Sequence, residues 1–147
     1  MKLHQLSLFL ENRPGKLKVP CRILADAGIN IVTLSLADTQ QFGILRLIVK
    51  DWQRARKVLE DAGCVVNVTE VVAVDVEDKP GGLAAILDVL EKAALAIEYM
   101  YAFTNGPNAR KATLVFRFEN PDAAIAALTR AGINVVGDAE LFARLEA

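Results

Sequence analysis

The sequence predicts an α+β fold built from two copies of one small unit. Residues 11–17 read ENRPGKL and residues 77–83 read EDKPGGL, which aligns Pro14 with Pro80 at an offset of 66 residues. In both places the phrase follows a strand-like apolar stretch and precedes apolar residues at helical spacing. At 147 residues the chain can hold two such units, each marginal in size on its own. We therefore expect both halves to repeat one order of strands and helices.

The first copy opens with a strand, QLSLFL, and a helix. The helix is expected to end at Gly28, because glycine is a typical C-terminal stop. Pro20 has no N–H to donate, so this helix either begins near Val19 or bends in its first turns. Its apolar residues at helical spacing are Leu17, Cys21, Leu24 and Ala27.

The first copy continues with two strands, a helix and a closing strand. INIVTLSLA and GILRLIV are the two strands, and CVVNV is the closing one. Asp51 is suited to cap the helix between them, because its short side chain can accept from an N–H of the first turn. The apolar face of this helix consists of Trp52, Ala55, Leu59 and Ala62.

The second copy repeats this order with the strands VVAVDV, AIEYMYAF, ATLVFRF and INVV. Asn120 and Pro121 open its second helix. By Leu128 the offset has risen to 69, so about three extra residues fall between the matched blocks, at TNGPNARK, a natural hairpin tip. The first helix of this copy carries Leu83, Ile86, Leu87 and Leu90.

Two consecutive βαββαβ units predict two ferredoxin-like sandwiches in tandem, with antiparallel sheets and helices on one face. Residues 1–69 form the first repeat and residues 70–147 the second. The run CVVNVTEVVAVDV contains no linker rich in Gly, Pro or Ser, so the repeats follow each other directly, with the boundary at TEV.

The charge and hydropathy of the chain argue against two classes of partner, nucleic acids and membranes. The chain has 17 Lys and Arg against 18 Asp and Glu, with no basic stripe, so nucleic acid is not an expected partner. No window approaches the roughly 18 uninterrupted apolar residues of a membrane span, and no secretory signal is complete. The sequence therefore predicts a cytoplasmic protein that does not bind membranes.

Catalytic, cofactor and metal signatures are missing from the sequence. It has no phosphate-binding loop, dinucleotide fingerprint, zinc-helix motif or nucleophile elbow. Cys21 and Cys64 have no metal-ligand spacing, and their repeat partners are apolar, so both are interpreted as structural. His4, the only histidine, aligns with Glu70 and is interpreted as a solvated residue. We expect no catalytic residue, no cofactor and no metal.

Tyr99 and Tyr101 alternate with Met100 along a predicted strand. Period-2 alternation places them on the sheet face that the helices do not cover. Two interpretations stay open: packing against the other repeat or a dimer mate, and contact with a ligand or partner protein.

The loop ENRPGKL has the chemistry of an amino-acid site. Pro14 fixes φ and Gly15 can adopt conformations closed to other residues, so the chain turns sharply and presents N–H groups at a helix start, which favours a carboxylate. The amide of Asn12 can accept from an ammonium and donate to a carboxylate. A plain strand-to-helix turn is the alternative.

The pattern x-N/D-x-PG-x-L, followed about twelve residues later by GIN-I inside a βαββαβ unit, resembles the ACT domain, a regulatory amino-acid-binding module of many biosynthetic enzymes. The chain is similar in particular to stand-alone tandem ACT proteins. The resemblance implies a ligand between the first loop of one domain and the second strand of its neighbour, which assigns the loop amide to Asn12 and the GIN amide to Asn30. Leu10 stands where some serine-regulated members have histidine, so serine is in doubt and a less polar pocket is expected.

In the second copy the amides are lost, since Asp78 replaces the loop Asn and Ala96 replaces Asn30. This second, weaker site is therefore vestigial or differently selective. The expected ligand-binding residues are Asn12, Arg13, Pro14, Gly15, Lys16, Leu17, Asn30, Ile31, Tyr99 and Tyr101. The weaker site consists of Asp78, Pro80, Gly81, Gly82 and Leu83.

The sequence thus predicts a non-catalytic regulatory protein that binds a small ligand, an amino acid or similar molecule, between ACT repeats or chains, as a homodimer. The alternative is a ligand-independent interaction module or a regulatory subunit of a separately encoded metabolic enzyme. Which amino acid binds, and which enzyme is regulated, stay open at this point.

Overall fold

A computed structural model describes residues 1–39, 41–104 and 110–146. The chain divides into two compact units. The first unit is His4–Thr69, and the second unit is Met1–Leu3 together with Glu70–Ala147. Most of the hairpin tip TNGPNARK, residues 105–109, lies outside the described residues.

The first unit contains three paired strands and two helices. Its elements are β1 (Leu3–Glu11), α1 (Lys18–Asp26), β2 (Ile31–Thr39), β3 (Phe42–Val49) and α2 (Trp52–Asp61). A further strand, β4 (Asn67–Glu77), begins in this unit and continues into the second. β3 lies between β1 and β2 and is antiparallel to both. Helices α1 and α2 pack on one face of this sheet, where they form a core with alternate residues of the strands. The buried core residues are Leu6, Leu8, Leu24, Leu45, Leu47, Val49, Ala55, Leu59 and Val66.

Pro20 lies in the first turn of α1 rather than at a bend. The helix begins at Lys18, so Pro20 is its third residue, and it is buried. The first four N–H groups of a helix have no acceptor within it, so a proline here removes no hydrogen bond. Of the two expectations for this helix, the late start is confirmed.

The closing strand of the first copy differs from the expectation. Cys64–Val66 lie outside any strand, and a single strand, β4, runs from Asn67 to Glu77. The polar pair Thr69 and Glu70, interpreted as a boundary between two strands, lies within this one, because backbone pairing does not depend on side-chain polarity.

The second unit repeats the arrangement. Its further elements are α3 (Gly82–Lys92), β5 (Ile97–Thr104), β6 (Lys111–Phe118), α4 (Pro121–Arg130), β7 (Val135–Val136) and α5 (Asp138–Glu146). β6 lies between β4 and β5, all antiparallel, and the two-residue β7 pairs with β4 on its other side. The buried core residues are Val72, Val74, Val76, Ile86, Leu90, Leu114, Phe116, Phe118, Ala124, Leu128 and Val135. The predicted ferredoxin-like α+β fold with two βαββαβ units is confirmed.

The two tyrosines of β5 point away from this core. Met100 packs against the core cluster, whereas its neighbours Tyr99 and Tyr101 lie on the opposite face and are half-buried. Their cross-strand neighbours are Arg117 and Val115 of β6.

Helix α5 is an addition that the repeat did not predict. Its Leu141 is completely buried, and its Arg144 reaches Asp75 of β4. Asp75 alternates with the core residues Val74 and Val76, so it lies on the tyrosine face of the sheet. In the second unit a helix thus also reaches the face that α3 and α4 leave uncovered.

The helix caps predicted at Asp51 and Asn120 are present. Asp51 accepts from the N–H of Arg54 at 3.1 Å, and Asn120 accepts from the N–H of Ala123 at 3.1 Å. We expect Asp51→Ala to lower the free energy of unfolding by about 1 kcal/mol, because a first-turn N–H loses its acceptor. Urea unfolding measures the change. The exposed Gln53→Ala in the same turn is the control, and an equal effect of both variants would contradict the cap assignment.

Candidate functional site

The loop between β1 and α1 is fixed by its backbone. The N–H of Asn12 donates to the carbonyl of Gln41 at 3.0 Å, and the N–H of Arg13 donates to the carbonyl of Glu11 at 2.8 Å. Gly15 has φ +85°, a conformation that L side chains rarely adopt. The predicted sharp turn therefore forms, and it fastens the loop to the tip of the β2–β3 hairpin.

A cavity of about 200 Å³ opens beside this loop. Its floor is a row of three residues across the sheet, in which Gly43 of β3 lies between Leu10 of β1 and Asp38 of β2. A Cβ atom on Gly43 would lie 3.1 Å from Cδ1 of Leu36, so the missing side chain leaves this space open. Leu17, just before α1, lines the cavity above the row.

The polar groups of the cavity carry both signs of charge. Asp38 and Glu11 contribute carboxylates, Arg13 a guanidinium and Asn12 an amide. The amide Nδ2 of Asn12 lies 3.5 Å from Oδ1 of Asp38, at the outer limit of a hydrogen bond. Arg13 forms an ion pair with Glu11. The cavity thus presents complementary groups to an ammonium and to a carboxylate.

The helices that follow the two loops lack a capping side chain. No side-chain hydrogen bond caps α1 at Leu17 or α3 at Gly81, whereas α2 and α4 are capped. Uncapped first-turn N–H groups and the helix dipole favour an anion at this end. The start of α1 at the cavity is therefore electrostatically suited to a carboxylate.

Only some of the predicted ligand-binding residues lie at the cavity. Asn12, Arg13 and Leu17 line the cavity, whereas Pro14, Gly15 and Lys16 shape the turn beside it. Asn30 and Ile31 lie at the opposite end of β2 from Asp38, about 25 Å away at the usual rise per residue. Tyr99 and Tyr101 belong to the second unit.

Asp38 is the functional candidate that sequence reasoning missed. It is exposed at the end of β2, and only the strand register shows that it lies beside the loop. The signal in the sequence was an acidic residue closing an apolar strand directly before a turn.

The second unit does not reproduce this cavity floor. The row equivalent to Leu10, Gly43 and Asp38 reads Val76, Ala112 and Thr104. A methyl group therefore stands where the floor was open, and the carboxylate is replaced by a hydroxyl.

Of the weaker-site residues, Gly81 and Gly82 line a different cavity of about 350 Å³, between the end of β4, the start of α3 and the turn before β7. Asp78, Pro80 and Leu83 are exposed and lie outside its lining.

Across the described ranges, no three His, Cys, Asp or Glu residues lie close enough together to hold a metal ion. No helix in that part of the chain has the length and apolarity needed to cross a bilayer. Burial raises the pKa of the Cys64 thiol, which disfavours its reactive thiolate.

Comparison with known families decides the classification. A family model described as an ACT domain pair matches residues 1–145. The chain belongs to the ACT domain pair family. The predicted resemblance to tandem ACT proteins is confirmed, and membership supports a regulatory, ligand-binding role rather than a catalytic one.

Solved structures agree with this ACT assignment. Protein BT0572 from Bacteroides thetaiotaomicron shares 38% sequence identity, with 97% of this chain and 96% of that chain covered and a TM-score of 0.89. The regulatory subunit of aspartate kinase from Thermus thermophilus, in its ligand-free form, shares 17% identity over 87% and 91% of the two chains, with a TM-score of 0.64. The corresponding Thermus flavus subunit shares 18% identity over 88% and 92%, with a TM-score of 0.60. The two aspartate kinase subunits share the ACT fold with this chain. Among curated proteins, none matches the chain.

Proposed function

We propose that this ACT domain pair is a non-catalytic sensor whose first unit binds a free α-amino acid in the cavity beside Asn12. One observation carries the proposal: the cavity combines two carboxylates, an amide and a cation with apolar walls in a space of about 200 Å³. Ligand sites for drug-sized molecules occupy roughly 300–1,000 Å³, so this smaller space favours a small metabolite.

The ammonium of the amino acid is assigned to Asp38. A carboxylate beside an amide oxygen provides charge-assisted acceptors for an N–H₃⁺ group. The 3.5 Å contact between Asn12 and Asp38 is long enough to be exchanged for two shorter bonds to a ligand between them.

The carboxylate of the amino acid is assigned to the uncapped start of α1 and to Arg13. The side chain is assigned to the apolar walls formed by Leu10, Leu17 and Leu36. Leu36 is 51% exposed and Leu17 is 39% exposed, so an apolar ligand side chain would cover surface that otherwise faces water. An amino acid with an apolar side chain is therefore the proposed class.

We place the second half of the site in another copy of the chain. β2 is an edge strand of the first unit's sheet, and its Leu34 is 46% exposed. Antiparallel pairing of two β2 strands about Ser35 would set Ile31 of one copy opposite Thr39 of the other. Asn30 of the second copy would then lie near Asp38, which would join the two predicted amides in one site.

The proposed output is control of a separately encoded metabolic enzyme. Its support is the fold shared with the aspartate kinase regulatory subunits, over most of both chains. Ligand-dependent pairing of β2 edges would be the change that such a partner detects.

The experiment is a thermal-melt panel of the purified protein against the twenty amino acids. Ligand at about 100 times its Kd adds about 2.7 kcal/mol of stability. At this chain length each kcal/mol raises Tm by about 2–4 °C, so a cognate amino acid is expected to raise Tm by about 5–10 °C.

Asp38→Asn is expected to weaken amino-acid binding at least about tenfold, because the ammonium loses its charged partner. Isothermal titration with the amino acid found in the panel measures the change. Gly43→Ala, which fills the cavity floor, is expected to weaken binding without removing a charge. Asp26→Asn, an exposed carboxylate of α1, is the control, and unchanged affinity in both cavity variants would overturn the site.

A further inference from the structure

The second unit has a cavity of its own in a different place. This cavity of about 350 Å³ lies between the end of β4, the start of α3 and the turn before β7. Its lining runs from the turn before β7 across the end of β4 to Lys111 of β6, whereas the row equivalent to the first unit's cavity floor continues across β6 to β5. Val76, Glu77 and Lys79 are the counterparts of Leu10, Glu11 and Arg13 in the first cavity, but the other walls differ.

The carboxylates of this cavity already have partners. Asp75 accepts from Nδ2 of Asn134 at 2.8 Å and from Arg144 at 2.9 Å. Glu77 forms an ion pair with Lys79. An incoming ammonium would have to displace one of these pairs, which disfavours an amino acid here.

Lys111 supplies the available positive charge. It lines the cavity opposite Glu77 in the strand register. Within residues 1–39, 41–104 and 110–146, its ammonium has no carboxylate within the 4.0 Å of an ion pair. The lining holds two cations, Lys79 and Lys111, and two carboxylates, Asp75 and Glu77. The charge of Lys111 lowers the pKa of both carboxylates, but Lys111 forms no direct ion pair with either, so it is the cation of the described lining that an anionic ligand can contact.

The remaining walls are apolar. Val76, Ile86 and Ile133 line the cavity and contribute to the core beneath it. We propose that this cavity binds a small organic monocarboxylate with an apolar body and no ammonium group, such as a 2-oxo acid, with Lys111 as its counter-ion.

The position of the site links it to helix α5. Asp75 and Asn134 line the cavity, and Asp75 is the anchor of Arg144. A ligand in the cavity would thus lie beside Asp75, which accepts hydrogen bonds from Arg144 of α5. Occupancy is expected to alter the protection of α5 amides, which gives the second unit its own output.

The experiment is an NMR titration of the ¹⁵N-labelled full chain with 4-methyl-2-oxopentanoate. We expect saturable shifts at Lys111, at Gly132–Asn134 and along α5. Lys111→Met is expected to weaken binding at least about tenfold, as for loss of a hydrogen bond to a charged group. Lys92→Met, in the last turn of α3, is the control and is expected to bind like the unaltered protein.

Three results would overturn this inference: no shifts at about 10 mM probe, shifts confined to the cavity of the first unit, or unchanged affinity in Lys111→Met. The inference does not rest on the amino-acid site, because the probe lacks the ammonium that Asp38 is proposed to bind. A negative result at one site therefore does not contradict the proposal for the other site.

Discussion

Replacing Asp75 with alanine is expected to lower the free energy of unfolding of the second unit by about 3 kcal/mol. The Asp75 side chain is only 5% exposed, and it accepts two hydrogen bonds from Arg144, at 2.9 and 3.1 Å, and one from Asn134. Breaking a fully buried ion pair costs about 3–5 kcal/mol, and the 32% exposure of Arg144 places this pair at the lower end. Urea unfolding followed by circular dichroism measures the loss.

The pH dependence gives an independent reading of the same pair. Burial alone would raise the pKa of Asp75, but the hydrogen bonds from Arg144 and Asn134 and the charge of Arg144 outweigh it and lower the pKa below its ordinary 3.8. Because the folded-state pKa is the lower one, this stabilisation is complete above the unfolded-state pKa. It is lost as pH falls through the folded-state pKa. The unaltered protein should therefore lose more stability than Asp75→Ala as pH falls below about 4.

Two controls separate the ion pair from general effects of charge. Asp88→Ala removes an exposed carboxylate from α3 and is expected to change stability by no more than about 0.5 kcal/mol. Arg144→Met combined with Asp75→Ala completes a double-mutant cycle. A coupling energy near zero would show that Arg144 does not anchor α5 through Asp75.

Gly82→Ala is expected to lower the free energy of unfolding by about 2–3 kcal/mol. A Cβ atom at this position would lie 2.2 Å from the carbonyl oxygen of Glu77, a backbone atom that cannot rotate away. Overpacking of this kind typically costs about 1–3 kcal/mol. At roughly 2–4 °C per kcal/mol, Tm should fall by about 4–12 °C.

Gly137→Ala is the matched control, because the nearest atom to its Cβ would be Cα of Met1 at 4.0 Å, an ordinary contact. Its Tm is expected to stay within about 2 °C of the unaltered protein. If Gly82→Ala melted at the same temperature as this control, the close approach of α3 to β4 would be wrong.

Gly82 also shows how the two loops diverge despite their similar sequences. It aligns with Lys16, yet Gly82 is the first residue of α3, whereas α1 begins two positions later, at Lys18. Because the connection between β4 and α3 is shorter, the backbone of α3 at Gly82 lies close to the carbonyl of Glu77 in β4. Both loops place a glycine at positive φ, Gly15 and Gly81, but only the second loop also requires glycine at the next position.

Local chemistry made the elements predictable. Asp51 and Asn120 could be assigned as caps because capping depends on residues three positions apart. Pro20 restricted the start of α1 for an equally local reason. The alternation of core residues along β1 also follows from its sequence pattern, whereas β4 is apolar at every position from Val71 to Val74, so its sequence does not show which face is covered by helices.

Features that depend on register were not predictable in this way. Asp38 and Asn12 are 26 positions apart, and they meet only because β3 pairs with both β1 and β2. Helix α5 has a recognisable start at Asp138 and apolar Leu141, but it has no counterpart in the first copy. The repeat of the first copy therefore does not predict this helix.

The grouping of Met1–Leu3 with the second unit has a consequence for synthesis. Lys2 forms ion pairs with Glu70 at 3.0 Å and with Asp122 at 3.1 Å, so the first unit is an insertion between two parts of a discontinuous host. At about 5–20 residues per second, Lys2 is added to the chain roughly 6–24 s before Asp122. By the end of that interval all of His4–Thr69 has been synthesised, whereas β7 and α5 of the second unit have not. We therefore expect the inserted unit to fold first, because domains generally fold in the order of their synthesis.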